Sequence, residues 1–230
     1  AGHHRRAEFI RQKLPPVKAR PLPFGHPAPT APLGAWTLWE PDSILASPST
    51  TSSFPQGRVL FEEDREGPPN RAYLKLWELF TLLGRAPGPG EMCLDLGGSP
   101  GGWAWVLARL GARAVSLDKA PLDPKVAALP GVEERLGSAF ALDPAEAARA
   151  DWLFSDVICY PGRLWKLLTR VMEAAPGLNL ACTVKLQGEV TDWTELAPFR
   201  DAPGSRLLHV WHNKHELTWV RLAGEKTDDP

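Results

Sequence analysis

Residues 93–103, Cys-Leu-Asp-Leu-Gly-Gly-Ser-Pro-Gly-Gly-Trp, constrain this chain more than any other stretch. Cys93–Leu96 reads as a short apolar strand, the glycines at 97, 98, 101 and 102 break it into a turn, and Trp103, Trp105, Val106, Leu107 and Leu110 carry a helix that stops at Gly111. Four glycines and a proline within residues 97–102 make a wall of backbone instead of side chains. A ligand can lie directly on such a wall, where unpaired amides at a helix N-terminus and the helix dipole favour a polar or anionic group. The glycine spacing is not the G-x-G-x-x-G of dinucleotide sites, and Asp95 sits inside the strand end, which counts against a nicotinamide cofactor.

At 230 residues the chain has room for one α/β domain and about 60–70 residues besides. It shows neither an apolar run long enough to span a bilayer nor a signal-peptide pattern, so a soluble, cytoplasmic chain with no membrane partner is expected. Cys93, Cys159 and Cys182 all lie in or beside apolar runs, and buried, reduced thiols are expected. The net charge of −1 gives no global nucleic-acid signature, but its distribution is uneven. Residues 1–20 hold Arg5, Arg6, Arg11, Lys13, Lys18 and Arg20 against Glu8 alone, a net of +5 that leaves −6 for the remainder. Such an arm suits local contact with phosphate, and equally a solvated tail.

Residues 1–56 form a Pro-rich N-terminal extension with this basic arm, and 57–230 the expected catalytic domain. Between Leu14 and Gln56 the many prolines exclude a long helix or a central strand, while Phe24, Trp36, Leu38, Trp39, Ile44, Leu45 and Phe54 are too apolar for a free linker. An extended segment with a hairpin around Trp36–Leu45 is expected, its Trp36 and Trp39 exposed and able to stack on unpaired bases. Beyond it, a helix runs from an Asn70 cap to Leu83 and Gly84, carrying Lys75.

Strands are expected at Ala114–Asp118, Val132–Leu136, Trp152–Val157 and Leu178–Lys185, with helices at Asp123–Leu129, Asp143–Ala150, Arg163–Ala174 and Thr191–Phe199. Leu207–Trp211 and Leu217–Leu222 close the chain as a strand pair around Asn213-Lys214. This alternation gives an α/β fold: a doubly wound, mostly parallel seven-stranded sheet with an antiparallel terminal hairpin. Ligands of such sheets sit beyond the carboxyl ends of the strands, and Asp95, Asp118, Asp156 and Lys185 fall there. Glu216 joins them if the last strand is reversed. Asp118 can accept from two ribose hydroxyls, since a carboxylate only accepts. His209, His212 and His215 are spaced by three along a strand, which sends successive rings to opposite faces, and no metal site is expected.

The stretch Asp95-Leu96-Gly97-Gly98-Ser99-Pro100-Gly101-Gly102-Trp103 resembles the first motif of S-adenosylmethionine-dependent methyltransferases. Its D-L-G-x-x-P-G-G-W form is similar to the FtsJ-like ribose 2′-O-methyltransferases of RNA. That family uses a Lys-Asp-Lys-Glu tetrad, for which this sequence offers Lys75, Asp156, Lys185 and Glu216 in matching order across roughly residues 54–223. Within the family the chain resembles the bacterial 23S rRNA cytidine 2′-O-methyltransferases at Ser53-Phe54-Pro55-Gln56-Gly57, Trp103-Ala104-Trp105, Leu117–Leu122 and Lys185-Leu186. The resemblance implies a Rossmann-like fold, S-adenosyl-L-methionine as cofactor and RNA, ribosomal RNA first, as substrate. It implies cofactor contacts from Asp95, Gly97, Gly98, Ser99, Pro100, Gly101, Gly102, Trp103, Asp118, Ser138, Phe140 and Asp156, with adenine near Phe140. Two departures stand out: too few residues precede Lys75 for the THUMP domain of that group, and Ser138 replaces an acidic residue usual near adenine.

Methyl transfer to a ribose requires the 2′-hydroxyl to lose its proton. Lys185 is the expected general base, with burial and the cation of Lys75 lowering its pKa from about 10.4, while Asp156 orients it and Glu216 holds the lysine pair. A small-molecule O-methyltransferase would instead show an enclosed pocket. A non-catalytic RNA-binding protein has no need of both lysines.

Overall fold

A computed structural model describes residues 3–17, 19–186 and 193–224. The chain divides into two compact units, residues 1–63 and 64–230.

In the first unit, helix α1 (His4–Arg11) is followed by an antiparallel hairpin of β1 (Ala35–Glu40) and β2 (Ser43–Ser47), with a register shift between Leu38 and Glu40. The hairpin stands where the sequence placed it. Helix α1 was not expected, because its sequence, HRRAEFIR, has no apolar stripe and it buries no residue. Leu22 pairs with the stretch around Phe61, its amide donating to the Leu60 carbonyl at 2.8 Å.

The second unit runs α2 (Tyr73–Leu83), β3 (Met92–Leu96), α3 (Gly102–Arg109), β4 (Arg113–Asp118), α4 (Pro124–Ala127), β5 (Val132–Leu136), α5 (Pro144–Ala147), β6 (Trp152–Ser155), α6 (Pro161–Ala174), β7 (Asn179–Lys185), α7 (Ala197–Asp201), β8 (Ser205–Leu208) and β9 (Glu216–Arg221). Its seven strands form one sheet in the order β5-β4-β3-β6-β7-β9-β8. Neighbours are parallel from β5 through β7, and β9 is inserted antiparallel between β7 and β8. The strand order reverses between β3 and β6, which is where sheets of this class bind ligands.

Strands β6 and β7 are buried along nearly their whole length, as strands covered on both faces must be. On one face Trp152 and Phe154 stack at 5.4 Å and meet Phe80 of α2 and Trp103 of α3 edge-on. On the other, Leu164, Leu167, Leu168 and Val171 of α6 join Leu94, Leu153 and Leu180 in one apolar cluster. All three cysteines are free and buried. No helix of the described residues is long and apolar enough to cross a membrane.

Differences from the expected elements are local. Asn70 Oδ1 accepts from the Ala72 amide at 3.0 Å and caps a tight turn, so that α2 begins at Tyr73, two residues later than a cap at Asn70 suggests. The helices after β4 and β5 shrink to single turns, each opened by an aspartate, Asp123 or Asp143, that accepts from the amide two residues on. Of the helix expected over Thr191–Phe199, residues 191 and 192 lie outside the described residues; Trp193–Leu196 is a 3₁₀ turn leading into α7. β8 ends at Leu208, not Trp211, because the chain turns where the Asn213 amide reaches the Val210 carbonyl.

Candidate active site

The glycine-rich turn between β3 and α3 is pinned from behind. A side chain at Gly98 would put its Cβ 2.0 Å from Ser116 Oγ and 2.4 Å from Asp95 Oδ2, and one at Gly97, where φ is +76°, would meet the Val157 backbone at 2.8 Å. Only glycine lets the turn lie this close to the strands. Asp118, at the end of β4, accepts from the Ser99 amide at 3.0 Å and from the Ala120 amide at 3.1 Å, one on each oxygen. Each oxygen keeps a second lone pair for a ligand. The Ser99 hydroxyl, by contrast, is spent on the Pro121 carbonyl at 2.8 Å.

Asp95 lies behind this wall, not on it. It is fully buried, takes a bond from Ser116 Oγ at 3.3 Å, and its Oδ1 has no hydrogen-bond partner among the described residues. Burial drives its pKa up to about 7, with the charges of Asp156 and Asp118 adding to the rise and the Ser116 bond opposing it. Trp103 also turns inward, its Nε1 donating to the Ala72 carbonyl at 3.0 Å, which leaves only its backbone for a ligand. Ser138 caps the turn at Phe140, accepting from that amide at 3.3 Å. Arg163 lies 3.8 Å from the centre of the Phe140 ring. The ring face that Arg163 covers is therefore closed to an adenine.

Four charged groups meet where β6 and β7 end and β9 begins, beside α2. Lys185, last of β7, stands in register opposite Glu216, first of β9. Asp156 follows β6 by one residue, its amide held by the Leu96 carbonyl at 3.1 Å. Lys75 Nζ reaches Glu216 Oε1 at 2.5 Å and Asp156 Oδ2 at 3.2 Å, while Lys185 Nζ reaches Asp156 Oδ1 at 2.5 Å and bonds Glu216 Oε2. Thr183 Oγ1 also donates to Asp156. Each lysine thus touches both carboxylates, and all four side chains are less than a fifth exposed.

A family model, FtsJ-like methyltransferase, matches residues 68–187. The chain is 33% identical over 250 residues to Ribosomal RNA large subunit methyltransferase M of Halorhodospira halophila, covering 93% of this chain and 73% of that protein. The chain belongs to the FtsJ-like methyltransferase family. The protein of the same name from Thauera aminoaromatica is 28% identical, with 86% of this chain covering 56% of its length. Several other curated relatives are spanned over about half their length or less. Among solved structures, a proposed hemolysin from Streptococcus thermophilus superposes with a TM-score of 0.55 at 16% identity, covering 75% of this chain and 73% of that one, a likeness of fold alone.

S-adenosylmethionine, the methyl donor of such methyltransferases, fits these residues. Its ribose presents two hydroxyl donors, and Asp118 is oriented by two amides with lone pairs to spare. The backbone wall at 97–102 lies at the same sheet edge, with Gly97 against the backbone of Val157, the residue after Asp156.

The cluster of Lys75, Asp156, Lys185 and Glu216 corrects one expectation. Burial by itself would depress Lys185, but the charge of Asp156 and hydrogen bonds from Lys185 to Asp156 and Glu216 outweigh it and hold its pKa above the usual lysine value. Asp156 shows the converse: burial would raise it, and the charges of Lys75 and Lys185 bring it below the usual carboxylate range.

Sequence reasoning missed Glu78. It lies one turn beyond Lys75 in α2, fully buried, and its carboxylate accepts from the Trp211 amide at 2.6 Å and the His212 amide at 2.9 Å, with His212 Nδ1 2.6 Å away. This fastens the loop that delivers Glu216 to the helix that carries Lys75. The only signal was an acidic residue on an otherwise apolar helix, Tyr-Leu-Lys-Leu-Trp-Glu-Leu-Phe.

Proposed function

We propose that this chain transfers a methyl group from S-adenosylmethionine to a ribose 2′-hydroxyl of RNA, with ribosomal RNA the substrate and the cytoplasm the place of action. In this reading 57–230 is the methyltransferase domain and 1–56 its extension. One observation carries it: Lys75, Asp156, Lys185 and Glu216, drawn from four separate segments, close into a single cluster beside the backbone wall. The relatives' name, Ribosomal RNA large subunit methyltransferase M, supports ribosomal RNA as substrate.

The bound donor supplies a methyl already activated for attack. What the chain must supply is alignment and the removal of a proton. Lys185 is the base. With both carboxylates on it, it holds its proton, so the base form requires the incoming hydroxyl to displace one of those contacts. Lys75 then acts as the neighbouring cation that disfavours a charged Lys185. Asp156, fixed by Thr183 and the Leu96 carbonyl, orients both the amine and the hydroxyl. Glu216 holds the lysines apart at the distance of one carboxylate.

The test is incubation with methyl-labelled S-adenosylmethionine and ribosomal RNA from cells lacking this activity. Label in nucleotides that resist alkaline hydrolysis is expected, since a 2′-O-methyl removes the hydroxyl that cleaves the chain. Label confined to bases, or to a small acceptor, would contradict the reading.

A further inference from the structure

The first unit carries a groove of about 730 Å³ between α1 and β1 that the methyl-transfer chemistry does not use. Arg5, Phe9 and Arg11 of the helix form one wall, and Trp36 and Leu38 of the strand form the other. Strand alternation puts Trp36 and Leu38 on one face, half-buried, and Trp39 on the opposite face, 73% exposed. Phe9 is 68% exposed although apolar. Glu8 engages Arg11 through both carboxylate oxygens, at 2.7 and 2.8 Å, which neutralises that pair. Arg5 and Arg6 are exposed and make no hydrogen bond or ion pair among the described residues. They belong to the stretch that holds a net +5 in a chain of net −1.

We propose that this groove is a second holding site for RNA, taking an unpaired segment with one phosphate on Arg5 at its wall, the next on Arg6 of the exposed helix surface beside it, and a base against Trp36. The proposal rests on RNA being the substrate and adds where the strand is gripped. Guanidinium groups match phosphate oxygens, and an indole offers a surface on which any base can stack. An acidic peptide would use the arginines and leave the indole idle. Because stacking and phosphate contact are both blind to sequence, the site adds affinity, and the choice of nucleotide stays with the methyltransferase domain.

The experiment uses the full chain, a Trp36→Ala variant and an Arg5→Glu/Arg6→Glu variant, with a fluorescein-labelled oligouridylate as probe and anisotropy read from 50 to 200 mM salt. Trp36→Ala is expected to weaken binding about tenfold at all salt concentrations. The double variant is expected to flatten the dependence of log Kd on log salt by about 1.4, roughly 0.7 for each lost phosphate contact. Donor affinity and methyl transfer at saturating RNA should stay within twofold in both, about the scatter of such a measurement. Unchanged oligouridylate affinity and slope in the variants would overturn the proposal, as would polyglutamate competing equally well with Trp36→Ala without effect, which would assign the groove to a protein partner. If the variants lose oligouridylate as expected while no RNA is ever methylated, the groove stands and the enzymatic reading falls.

Discussion

Lys185 and Glu216 face each other across the β7–β9 pair, in register and joined side chain to side chain. From there the Glu216 carboxylate reaches on to Lys75, and Asp156 closes the square from the end of β6. Two cations and two anions make a neutral ring in which every member touches both groups of opposite charge. Removing any one leaves a poorly solvated charge unbalanced, which costs far more than a surface ion pair.

The ring sets the pH dependence of the reaction. Lys185 has a raised folded-state pKa, so its contribution to stability is complete below the unfolded value of about 10.4 and is lost as pH rises through the folded one. Asp156 has a lowered one, so its contribution is present above about 3.9 and is lost as pH falls through the folded value. Methyl transfer should therefore climb with pH across the alkaline range as the base form of Lys185 is populated. Glu216→Gln removes one of the two carboxylates on Lys185 and should move this rise to lower pH, whatever the absolute rate. A pH profile of kcat/KM checks this, and a limb in the variant at equal or higher pH would count against the assignment of Lys185 as base.

Gly98→Ala should cost both stability and donor binding. The new Cβ falls 2.0 Å from Ser116 Oγ, far inside van der Waals contact, so the turn must lift from the strands, at about 1–3 kcal/mol or more. Gly177→Ala, where nothing lies within 4 Å, is the control and should stay within about 0.5 kcal/mol. Thermal unfolding with and without S-adenosylmethionine separates them. Equal donor-induced stabilisation in the two variants would show that the wall does not hold the donor.

Glu78→Gln tests whether the buried carboxylate positions Glu216. Glutamine offers one acceptor oxygen where three nitrogens now converge, a loss of about 1–3 kcal/mol in stability. If Glu78 acts through the loop, kcat should fall with donor Kd unchanged, and the alkaline limb should shift the same way as in Glu216→Gln. The double variant should then lose less than the sum of the single losses. A stability loss with an unmoved pH limb would reduce Glu78 to a structural part.

Much of this site could be read from the sequence because its chemistry sits at strand ends, and strand ends are marked by the switch from apolar runs to Gly, Asp or Lys. Leu96-Gly97, Leu117-Asp118 and Val184-Lys185 are such marks, and all three lie at the edge where they were expected. Side-chain direction was less legible. The D-L-G-G motif does not distinguish Asp118, on the open side of the wall, from Asp95, sealed behind it, because that depends on Ser116 and Gly98 meeting across neighbouring strands. Lys185 shows the same limit. Burial and the cation of Lys75 suggest a depressed pKa, whereas Asp156 and Glu216, 29 and 31 residues away, raise it. Helix α1 was illegible for a different reason: it buries nothing, so no periodicity announces it.

The most direct measurement is single-turnover methyl transfer to RNA by Lys185→Ala, with donor affinity measured on the same sample. Loss of the base should slow transfer by about 10²–10⁴-fold while donor Kd stays unchanged, because the backbone wall and Asp118 are left intact. Transfer at a rate close to wild type would contradict the assignment of proton removal to Lys185, and with it the role of the tetrad.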